Sequence, residues 1–379
     1  MVESEQERFE LYFDFGMPDP VQPVDGIADP MAAALLIKAM SAKEALEIEE
    51  PISPRLHFNL PRIRDIFHSW WPDRFSRIDI RTSPRLESSS PPKPLAATFF
   101  SGGVDSFYSL LKQQRQSETT GIPVAHLIFM RGVEIRLEKS SGLEATEKRV
   151  KAIAESVGIT PIFGETNLRT SFRLHWEKYL FGSALAATGL CLSPAVGYVG
   201  IAASNNYNDF EYMIRRGSTP LVDEMYSTEN VQIFHNGAEV TRAQKLRHLM
   251  DWNRELVLEN LRVCTRNAGG DSNCGGCPKC VRTAIPLYAM GLWDEAATFP
   301  SKDTGHWVEA VTKERHASYI KENLEFAREC GGNDWLIKLL NGEMERRRAL
   351  RASRRGKLYA ARSVASMLKR RAIQLIKGN

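Results

Sequence analysis

Strand-like and helix-like patterns alternate from residue 96 onward, and this alternation constrains the fold of the chain more than any other feature. Short apolar runs predict five strands, at residues 96–100, 124–130, 160–163, 196–203 and 231–234. Helical periodicity predicts four intervening helices, at residues 104–114, 143–157, 171–191 and 241–261. Strands and helices at this spacing build βαβ units. We therefore expect an α/β fold with a doubly wound, mostly parallel sheet.

The rest of the chain has a different character. Residues 11–15 and 56–60 resemble strands and residues 31–42 resemble a helix, which together predict a small N-terminal α+β region. A stretch rich in serine and proline follows and predicts a linker. The end of the chain has helical periodicity throughout. The sequence thus divides into an N-terminal region (residues 1–82), a linker (83–95), the α/β domain (96–300) and a helical C-terminal extension (301–379).

Charge is distributed unevenly between the body of the chain and its end. Residues 346–379 contain 12 Lys or Arg and no Asp or Glu, whereas the preceding residues carry 38 basic and 46 acidic side chains. From Leu358 onward, Leu and Ala recur at three- and four-residue steps and predict a helix. This basic tail can pack on the acidic body or on a partner, contact nucleic acid, or lie on a membrane surface. The stripe of Leu and Ala lacks aromatic anchors for a membrane, and we favour packing over nucleic acid.

The sequence predicts a cytoplasmic protein without membrane contact. Its first ten residues are acidic and contain no apolar run like that of a secretory signal. Residues 180–208 carry no charge, but Pro194 and four glycines interrupt this stretch. We therefore expect a helix that ends near Cys191, a turn and a buried strand there. The sequence leaves a homodimer open.

The sharpest local motif is Ser-Gly-Gly-Val-Asp-Ser at residues 101–106, after the first predicted strand of the sheet. A helix N-terminus attracts anions through its N–H groups and dipole, and glycines let the backbone approach phosphate oxygens. Ser101 and Ser106 can donate hydrogen bonds to phosphate, and Asp105 suits a metal ion or a cap. The motif is neither a Walker A loop nor a GxGxxG fingerprint. A capped glycine-rich turn without a ligand also fits it.

This hexapeptide resembles the SGGxDS loop of the PP-loop ATP pyrophosphatases, a family with the Rossmann-like HUP fold. The resemblance implies that the chain binds ATP with Mg²⁺, adenylates an acceptor oxygen and releases pyrophosphate. It implies catalytic roles for Asp105 and Ser106. It also implies adenine contacts from the backbone at the end of the second sheet strand. The implied ATP-binding residues are Ser101, Gly102, Gly103, Val104, Asp105, Ser106, Met130, Gly132 and Lys245.

Lys245 enters through a second family element, a Pro-Leu-x4-Lys segment in which the lysine reaches the pyrophosphate. Residues 239–245 occupy that place here, although the Pro-Leu pair is missing. The resemblance implies that Lys245 and Arg242 belong to the catalytic site. Taken alone, the same two residues also fit an exposed helix face.

Four of the six cysteines fall within 17 residues with the spacing C-x9-C-x2-C-x2-C: Cys264, Cys274, Cys277 and Cys280. CxxC turns present pairs of thiolates, and tetrahedral Zn²⁺ takes four of them. Because four thiolates leave no open coordination position, we expect a structural zinc ion. An iron–sulfur cluster and disulfides are the alternatives, and a cytosolic protein disfavours disulfides.

The loop and the cysteines in combination resemble 7-cyano-7-deazaguanine synthase over residues 96–292. That resemblance implies ATP-dependent activation of a carboxylate or carbonyl oxygen for attack by a nitrogen nucleophile. The acceptor would be a deazaguanine, or a co-encoded partner protein to which deazaguanine is attached, as in relatives from bacterial antiviral defence systems. Residues 273–283, NCGGCPKCVRT, also resemble an uncharacterised zinc-containing PP-loop branch.

The resemblance to the synthases has a further gap, and other functions stay open. Residues 204–209 stand where the synthases carry Tyr-Pro-Asp-Cys-Arg. An RNA-modifying thiolase is one alternative, although no CxxC pair lies beside the loop at residues 101–106. An ATP-binding module without chemistry is the other.

Overall fold

The computed structural model describes residues 1–353, with gaps at residues 6, 17–25, 87–90, 134, 139, 210–214, 265, 267–271 and 332. Internal contacts divide the chain into two compact units. Unit 1 contains residues 1–274 and 295–301, and unit 2 begins with residues 275–294 and resumes at Lys302. The apolar stripe predicted from Leu358 onward lies outside the described residues.

Most of the regular secondary structure belongs to unit 1. The strands of the described residues are β1 (Val2–Glu3), β2 (Arg8–Phe9), β3 (Phe13–Phe15), β4 (Leu46–Glu47), β5 (Ile80–Arg81), β6 (Ala96–Phe99), β7 (Val124–Arg131), β8 (Thr160–Thr166), β9 (Tyr198–Ala202) and β10 (Gln232–Asn236). The α-helices are α1 (Ala28–Ala42), α2 (Pro54–Trp70), α3 (Val104–Thr120), α4 (Ser140–Ser156), α5 (Leu168–Ser171), α6 (Phe181–Cys191), α7 (Pro220–Asp223), α8 (Arg242–Asn260), α9 (Pro278–Ala289), α10 (Trp307–Lys313), α11 (Ala317–Glu329) and α12 (residues 334–353).

Six strands of unit 1 form the central sheet in the order β10-β9-β6-β7-β8-β3. The strands β6 to β10 are parallel to one another, and β3 is an antiparallel edge strand. From β6 the chain continues to β7 and β8 on one side, then returns to β9 and β10 on the other. The carboxyl ends of β6 and β9 therefore flank a topological switch point, where open α/β sheets bind ligands. The α/β class and the mostly parallel sheet predicted from sequence are confirmed.

Helices cover both faces of this sheet. On one face, Asn236 of β10 donates a hydrogen bond to the hydroxyl of Ser109 in α3, at 3.0 Å. On the other face, Ile233 of the same strand lies against α6, where a Cβ added to Gly189 would be 3.2 Å from it. Adjacent side chains of a strand point to opposite faces, so residues 233 and 236 contact different helix layers.

The N-terminal segment belongs to the same compact unit as the sheet. Its strand β3 pairs with β8, and its helix α1 contacts α6. Three consecutive alanines of α1, residues 32–34, are fully buried. Small side chains allow such close helix packing. Because β3 pairs with β8, the central sheet extends beyond the segment boundaries expected from sequence.

The strand predicted at residues 56–60 is wrong, because these residues lie within α2. Ser53 caps this helix by accepting a hydrogen bond from the N–H of Leu56 at 3.2 Å, and Pro54 occupies its first turn. Leu56, Leu60 and Ile63 are fully buried at helical spacing. The helical stripe extends past the short apolar run that resembled a strand.

The helix predicted at residues 171–191 is interrupted. A π-helix, Trp176–Leu180, precedes α6, and Arg173 has a positive φ of 49°. The expected end of this segment is confirmed, since α6 ends at Cys191 and a buried strand begins at Tyr198. None of the helices in the described part of the chain has the length and apolar character needed to cross a membrane.

Unit 2 is helical and is held together by Arg and aromatic side chains. Arg282 of α9 lies 3.5 Å from the ring centre of Tyr319 and donates a hydrogen bond to Glu314 at 2.8 Å. Trp307 is fully buried and contacts Tyr288 edge to face. Arg282 therefore serves packing within this unit, which accounts for the arginine of the NCGGCPKCVRT segment.

The first residues of the basic tail are also engaged in unit 2. Arg346 and Arg347 of α12 both donate hydrogen bonds to Glu343, at 2.6 Å. Arg347 also donates to the carbonyl oxygens of Val311 and Thr312, both at 3.5 Å. Burial raises the pKa of Glu343, but the two guanidinium groups outweigh it and hold this pKa below its ordinary value. Glu343 is therefore a buried carboxylate that depends on the start of the tail.

Truncation after Glu345 should lower the melting temperature, because Glu343 would lose both cations. Truncation after Ser353 keeps these ion pairs and is the matched control. A carboxylate with a depressed pKa stabilises the fold above its unfolded-state pKa, so the difference between the two truncations should shrink below about pH 4. Equal melting temperatures at pH 7 would contradict this packing. Salt-sensitive RNA binding by the full chain that is lost on truncation after Glu345, with no change in stability, would instead favour the nucleic-acid arm.

Candidate functional site

The segment of residues 101–106, called the phosphate loop below, connects β6 to α3 at the switch point of the sheet. Gly102 has a φ of +77°, in the left-handed region that favours glycine. Gly103 is the N-cap residue of α3 in an extended conformation, and as a glycine it supplies no side-chain cap. A helix N-terminus after a glycine turn is a typical phosphate-binding arrangement.

The remaining side chains of the phosphate loop stabilise its shape. Val104 is fully buried in the core. Ser106 is 5% exposed, and its hydroxyl donates a hydrogen bond to the carbonyl of Gly103 at 2.9 Å. Ser101 is half-buried beside Gly103, where an added Cβ would lie 3.7 Å from its hydroxyl oxygen. Ser101 is therefore placed at the loop entrance, whereas the proton of Ser106 serves the loop itself.

Asp105 of the phosphate loop contacts two cations from α8. It accepts hydrogen bonds from the Nη1 of Arg242 at 2.5 Å and from the Nζ of Lys245 at 3.1 Å. The Nζ of Lys245 also donates to the carbonyl of Ala203, just after β9, at 2.6 Å. Arg242 and Lys245 are only 7% and 2% exposed. The exposed-face interpretation of these two residues is therefore wrong, and the structure brings all three together.

A capping box places the two cations in the first turn of α8. The Thr241 hydroxyl accepts from the N–H of Gln244 at 3.3 Å, and the Gln244 side chain accepts from the N–H of Thr241 at 2.9 Å. Gly237, with a φ of +92°, forms the turn after β10, where an added Cβ would lie 2.9 Å from the Tyr108 ring. The T-x-x-Q pattern was visible in the sequence but was not used there.

The site carries more positive than negative charge. Two buried cations and the N-termini of α3 and α8 meet at one carboxylate, Asp105. Cations in the first turn of a helix oppose its dipole, so the position of Arg242 and Lys245 needs nearby anions. The Nε of Arg242 is buried and has no hydrogen-bond partner within the described parts of the chain. This arrangement suits an anion with more than one charge.

Aromatic side chains brace α3 against α8 one turn further along. Tyr108 and His248 both stack on Trp252, with ring centres 5.3 and 5.2 Å from it. The Tyr108 hydroxyl donates to Glu239 at 2.9 Å, and Lys112 donates to the same carboxylate at 2.6 Å. Burial and the Glu239 charge raise the pKa of Tyr108 above its ordinary value. Sequence reasoning missed this set, although residues 105, 108 and 112 share helical spacing with each other.

The predicted adenine contacts lie at the same edge of the sheet, since β7 neighbours β6. Met130 is 2% exposed, and its side chain lies against Gly164. The backbone carbonyl of Met130 accepts a hydrogen bond from the N–H of Val133 at 3.3 Å, and the N–H of Gly132 donates to the carbonyl of Ile135 at 2.9 Å. The backbone groups of Met130 and Gly132 thus form a local turn, and the geometry adds nothing specific for adenine.

The four predicted cysteine ligands lie together. Their sulfur atoms are all within 4.8 Å of one another. A zinc ion with Zn–S bonds of about 2.3 Å separates its sulfurs by about 3.8 Å, so the cluster has the size of a site for one tetrahedral ion. Cys264, Cys277 and Cys280 are buried, and Cys274 is exposed. The four-cysteine site is compatible with zinc, and its size disfavours an iron–sulfur cluster with several irons.

The surroundings of two ligands are fixed by hydrogen bonds. Cys277 is the N-cap of α9, and its sulfur accepts from the N–H of Cys280 at 3.4 Å. Asn273, 1% exposed, accepts from the N–H groups of Val263 and Cys264 at 2.8 and 3.0 Å. It also donates to the carbonyl of Leu261 at 2.8 Å. These bonds of Asn273 join it to residues 261–264, and residues 267–271, between Cys264 and Asn273, lie outside the described residues.

Purified protein should contain about one zinc ion per chain. Cys277→Ser should melt far earlier than wild type, because structural zinc sites contribute on the order of 10 kcal/mol to folding. Cys330→Ser changes a cysteine outside the cluster and should melt as wild type does. Elemental analysis and thermal melts measure both quantities. A metal-free protein with the wild-type melting temperature would contradict the assignment.

Asn273→Ala should destabilise the protein by about 3 kcal/mol, because two buried N–H groups lose their acceptor. Metal retention should fall with it, since Cys264 is one of the groups released. Asn260→Ala is the matched control, because its side chain makes a local bond to the carbonyl of Leu256. Denaturant unfolding and zinc content measure the two effects. Equal losses for both variants would show that Asn273 does not support the metal site.

No protein-family model matches this chain, and no curated protein sequence matches it either. The case for a nucleotide site therefore comes from the residues themselves. They supply a glycine turn at the switch point, a helix whose N-cap residue is glycine, and two buried cations that share one carboxylate.

Proposed function

We propose that this chain is an ATP-dependent enzyme that adenylates a carboxylate or carbonyl oxygen and releases pyrophosphate. A nitrogen nucleophile then displaces AMP from the acceptor. The supporting observation is the excess positive charge at the switch point, where Arg242 and Lys245 share the single carboxylate of Asp105.

The charge excess favours a polyanion over a neutral ligand. A buried cation is costly unless an anion pairs with it, and Asp105 supplies one negative charge for two cations. The N-termini of α3 and α8 add further positive potential at the same edge of the sheet. A triphosphate provides enough negative charge to satisfy all of these groups, whereas one neutral or singly charged ligand does not.

Asp105 suits a bound Mg²⁺ beside the phosphates, because carboxylate oxygens are the protein ligands that Mg²⁺ prefers. When bound, Mg²⁺ would neutralise phosphate charge during transfer. Asp105 would then exchange its contacts with Arg242 and Lys245 for the ion, and the two cations would hold the departing pyrophosphate. Ser101 and the N–H groups of α3 would orient the phosphates.

The cysteines favour nitrogen chemistry over the thiolase alternative. A thiolase needs a reactive cysteine, and the four-cysteine site occupies Cys264, Cys274, Cys277 and Cys280 in the proposed zinc centre. Burial raises the pKa of Cys191 to about 12, which keeps that thiol protonated and inert. These five cysteines therefore offer no reactive thiol, which favours a nitrogen nucleophile supplied by a substrate.

The residues of the site indicate less about the acceptor than about the nucleotide. The motif resemblance suggests a deazaguanine, or a co-encoded protein that receives one in a bacterial defence system. An ATP-binding module without chemistry stays the second candidate, because the same charge arrangement would bind a nucleotide. Product analysis separates the two.

With a suitable acceptor, the products should be AMP and pyrophosphate. Asp105→Ala should lower kcat/KM by at least about 100-fold, because the residue acts on the reacting phosphates. Asp251→Asn, on an exposed position of α8, is the matched control and should retain activity. Release of ADP and phosphate, or full activity of Asp105→Ala, would exclude the proposed chemistry.

Asp105→Asn should bind pyrophosphate in the absence of Mg²⁺ at least about tenfold more tightly than wild type. Removing a charge about 6 Å from an anion changes the binding energy by about 2 to 3 kcal/mol at an effective dielectric constant of 20. Calorimetry of both proteins in chelator measures this effect. Unchanged or weaker binding would show that Asp105 does not compete with the anion for Arg242 and Lys245.

A further inference from the structure

We infer that the metal site sets the conformation of the phosphate loop, and that Arg262 is the positioning residue between them. The identity of the anion in this inference rests on the proposed function. The inference concerns a short stretch of chain, residues 261–264, that leads from the end of α8 to the first cysteine ligand.

At one end, this stretch forms a wall of the phosphate loop. The backbone N–H of Arg262 donates a hydrogen bond to the carbonyl of Gly102 at 2.7 Å. A Cβ added to Gly102 would lie 3.7 Å from the Cβ of Arg262, and one added to Gly103 would lie 3.7 Å from the carbonyl oxygen of Arg262. The two glycines that shape the anion site therefore pack directly on Arg262.

At the other end, the same stretch carries a metal ligand. The Nη1 of Arg262 donates to the carbonyl of Cys264 at 2.5 Å. The N–H groups of Val263 and Cys264 are both held by the Asn273 side chain. Two residues of extended chain span at most about 7 Å, so a shift of Cys264 reaches Arg262 with little slack to absorb it.

This connection has a consequence for anion binding. The peptide groups on either side of Gly102 determine where the first N–H groups of α3 point, and the Arg262 hydrogen bond fixes one of those peptides. A metal ion holds Cys264 to the other three sulfurs and thereby keeps Arg262 in place. Without the ion, the loop should sample orientations in which its N–H groups no longer converge on a phosphate.

The first test compares nucleotide affinity with metal occupancy. Cys274→Ser removes the exposed ligand, which should weaken metal binding with the least damage to the core. Calorimetry with ATP and Mg²⁺ would be run on this variant at graded zinc concentrations, with Cys330→Ser as control. We expect the Kd for ATP to rise at least about fivefold as zinc is lost, the factor for one backbone hydrogen bond, and to recover on zinc addition. Circular dichroism verifies folding at each point.

Hydrogen exchange gives a readout that does not depend on activity. Peptides covering residues 101–106, which follow β6, should exchange faster after zinc removal. Peptides from β8, which is separated from β6 by β7 in the sheet, should not. Faster exchange throughout unit 1 would indicate general unfolding and would overturn the specific coupling.

A second pair of variants leaves all four cysteines in place. Arg262→Pro lacks the N–H that donates to Gly102, and the ψ of 117° at Leu261 is compatible with a following proline. Arg262→Ala keeps that N–H. With equal zinc content, the proline variant should bind ATP at least about fivefold more weakly than the alanine variant. Equal affinities would overturn the role of this hydrogen bond, and if the proline variant does not fold, the zinc titration decides.

The outcomes separate this inference from the proposed function. If the zinc-loaded wild type binds neither ATP nor pyrophosphate, the proposed function fails. If it binds them with the same Kd in its folded zinc-free form, the proposed function stands and the coupling through Arg262 is wrong.

Discussion

The candidate site depends on one carboxylate, Asp105, that holds two nearly buried cations. Arg242 and Lys245 are 137 and 140 residues from Asp105 in sequence. Their hydrogen bonds tie the end of β6, in the middle of the sheet, to the start of α8, which follows the edge strand β10. The bond from Lys245 to the carbonyl of Ala203 adds the end of β9. These contacts thus connect the carboxyl end of β6, in one half of the sheet, with that of β9, in the other half, at the switch point.

Other ion pairs of the chain show why this one suits a ligand. Arg131 and Glu147 pair one to one, as do Arg282 and Glu314, so that each carboxylate has one cation. Asp65 and Glu343 each have two arginines, but the side chains of Arg77 and Arg346 are 60% and 49% exposed, so solvent screens their charges. Arg242 and Lys245 have no such screening. A shared carboxylate between two buried cations is costly for stability alone, and a polyanion removes that cost.

Sequence reasoning succeeded where the signal is local. The five parallel strands, the loop at residues 101–106 and the four-cysteine cluster are each encoded within about twenty consecutive residues, and all lie close to where they were expected. The strand expected at residues 56–60 failed because five residues are too short to distinguish a strand from one turn of α2. The four-segment division did not anticipate that β3 would join the central sheet, since strand pairing across 150 residues leaves no periodic trace.

The site itself was predictable only in part, because its contacts join residues that are far apart in the sequence. The motif resemblance named Arg242 and Lys245, but no local pattern indicated that they are buried or that they meet at Asp105. The hydrogen bonds of Asn273 to Val263, Cys264 and Leu261 also become visible only in the folded chain. The contact of Arg262 with Gly102 likewise joins two motifs that are about 160 residues apart in the sequence.

The proposed reaction has a consequence for recognition of the acceptor. If α3 and α8 contact the phosphates as proposed, the acceptor would approach along the carboxyl edge of the sheet, where the segment after β9 begins. In that segment Asn206 is 6% exposed, and Tyr207 is 52% exposed while its N–H donates to the carbonyl of Ala238 at 2.8 Å. This is the stretch that lacks the Tyr-Pro-Asp-Cys-Arg element. Residues 101–106 and Lys245 match the resemblance and residues 204–209 do not, so in the proposed reaction any difference in acceptor from the synthases would originate in this segment.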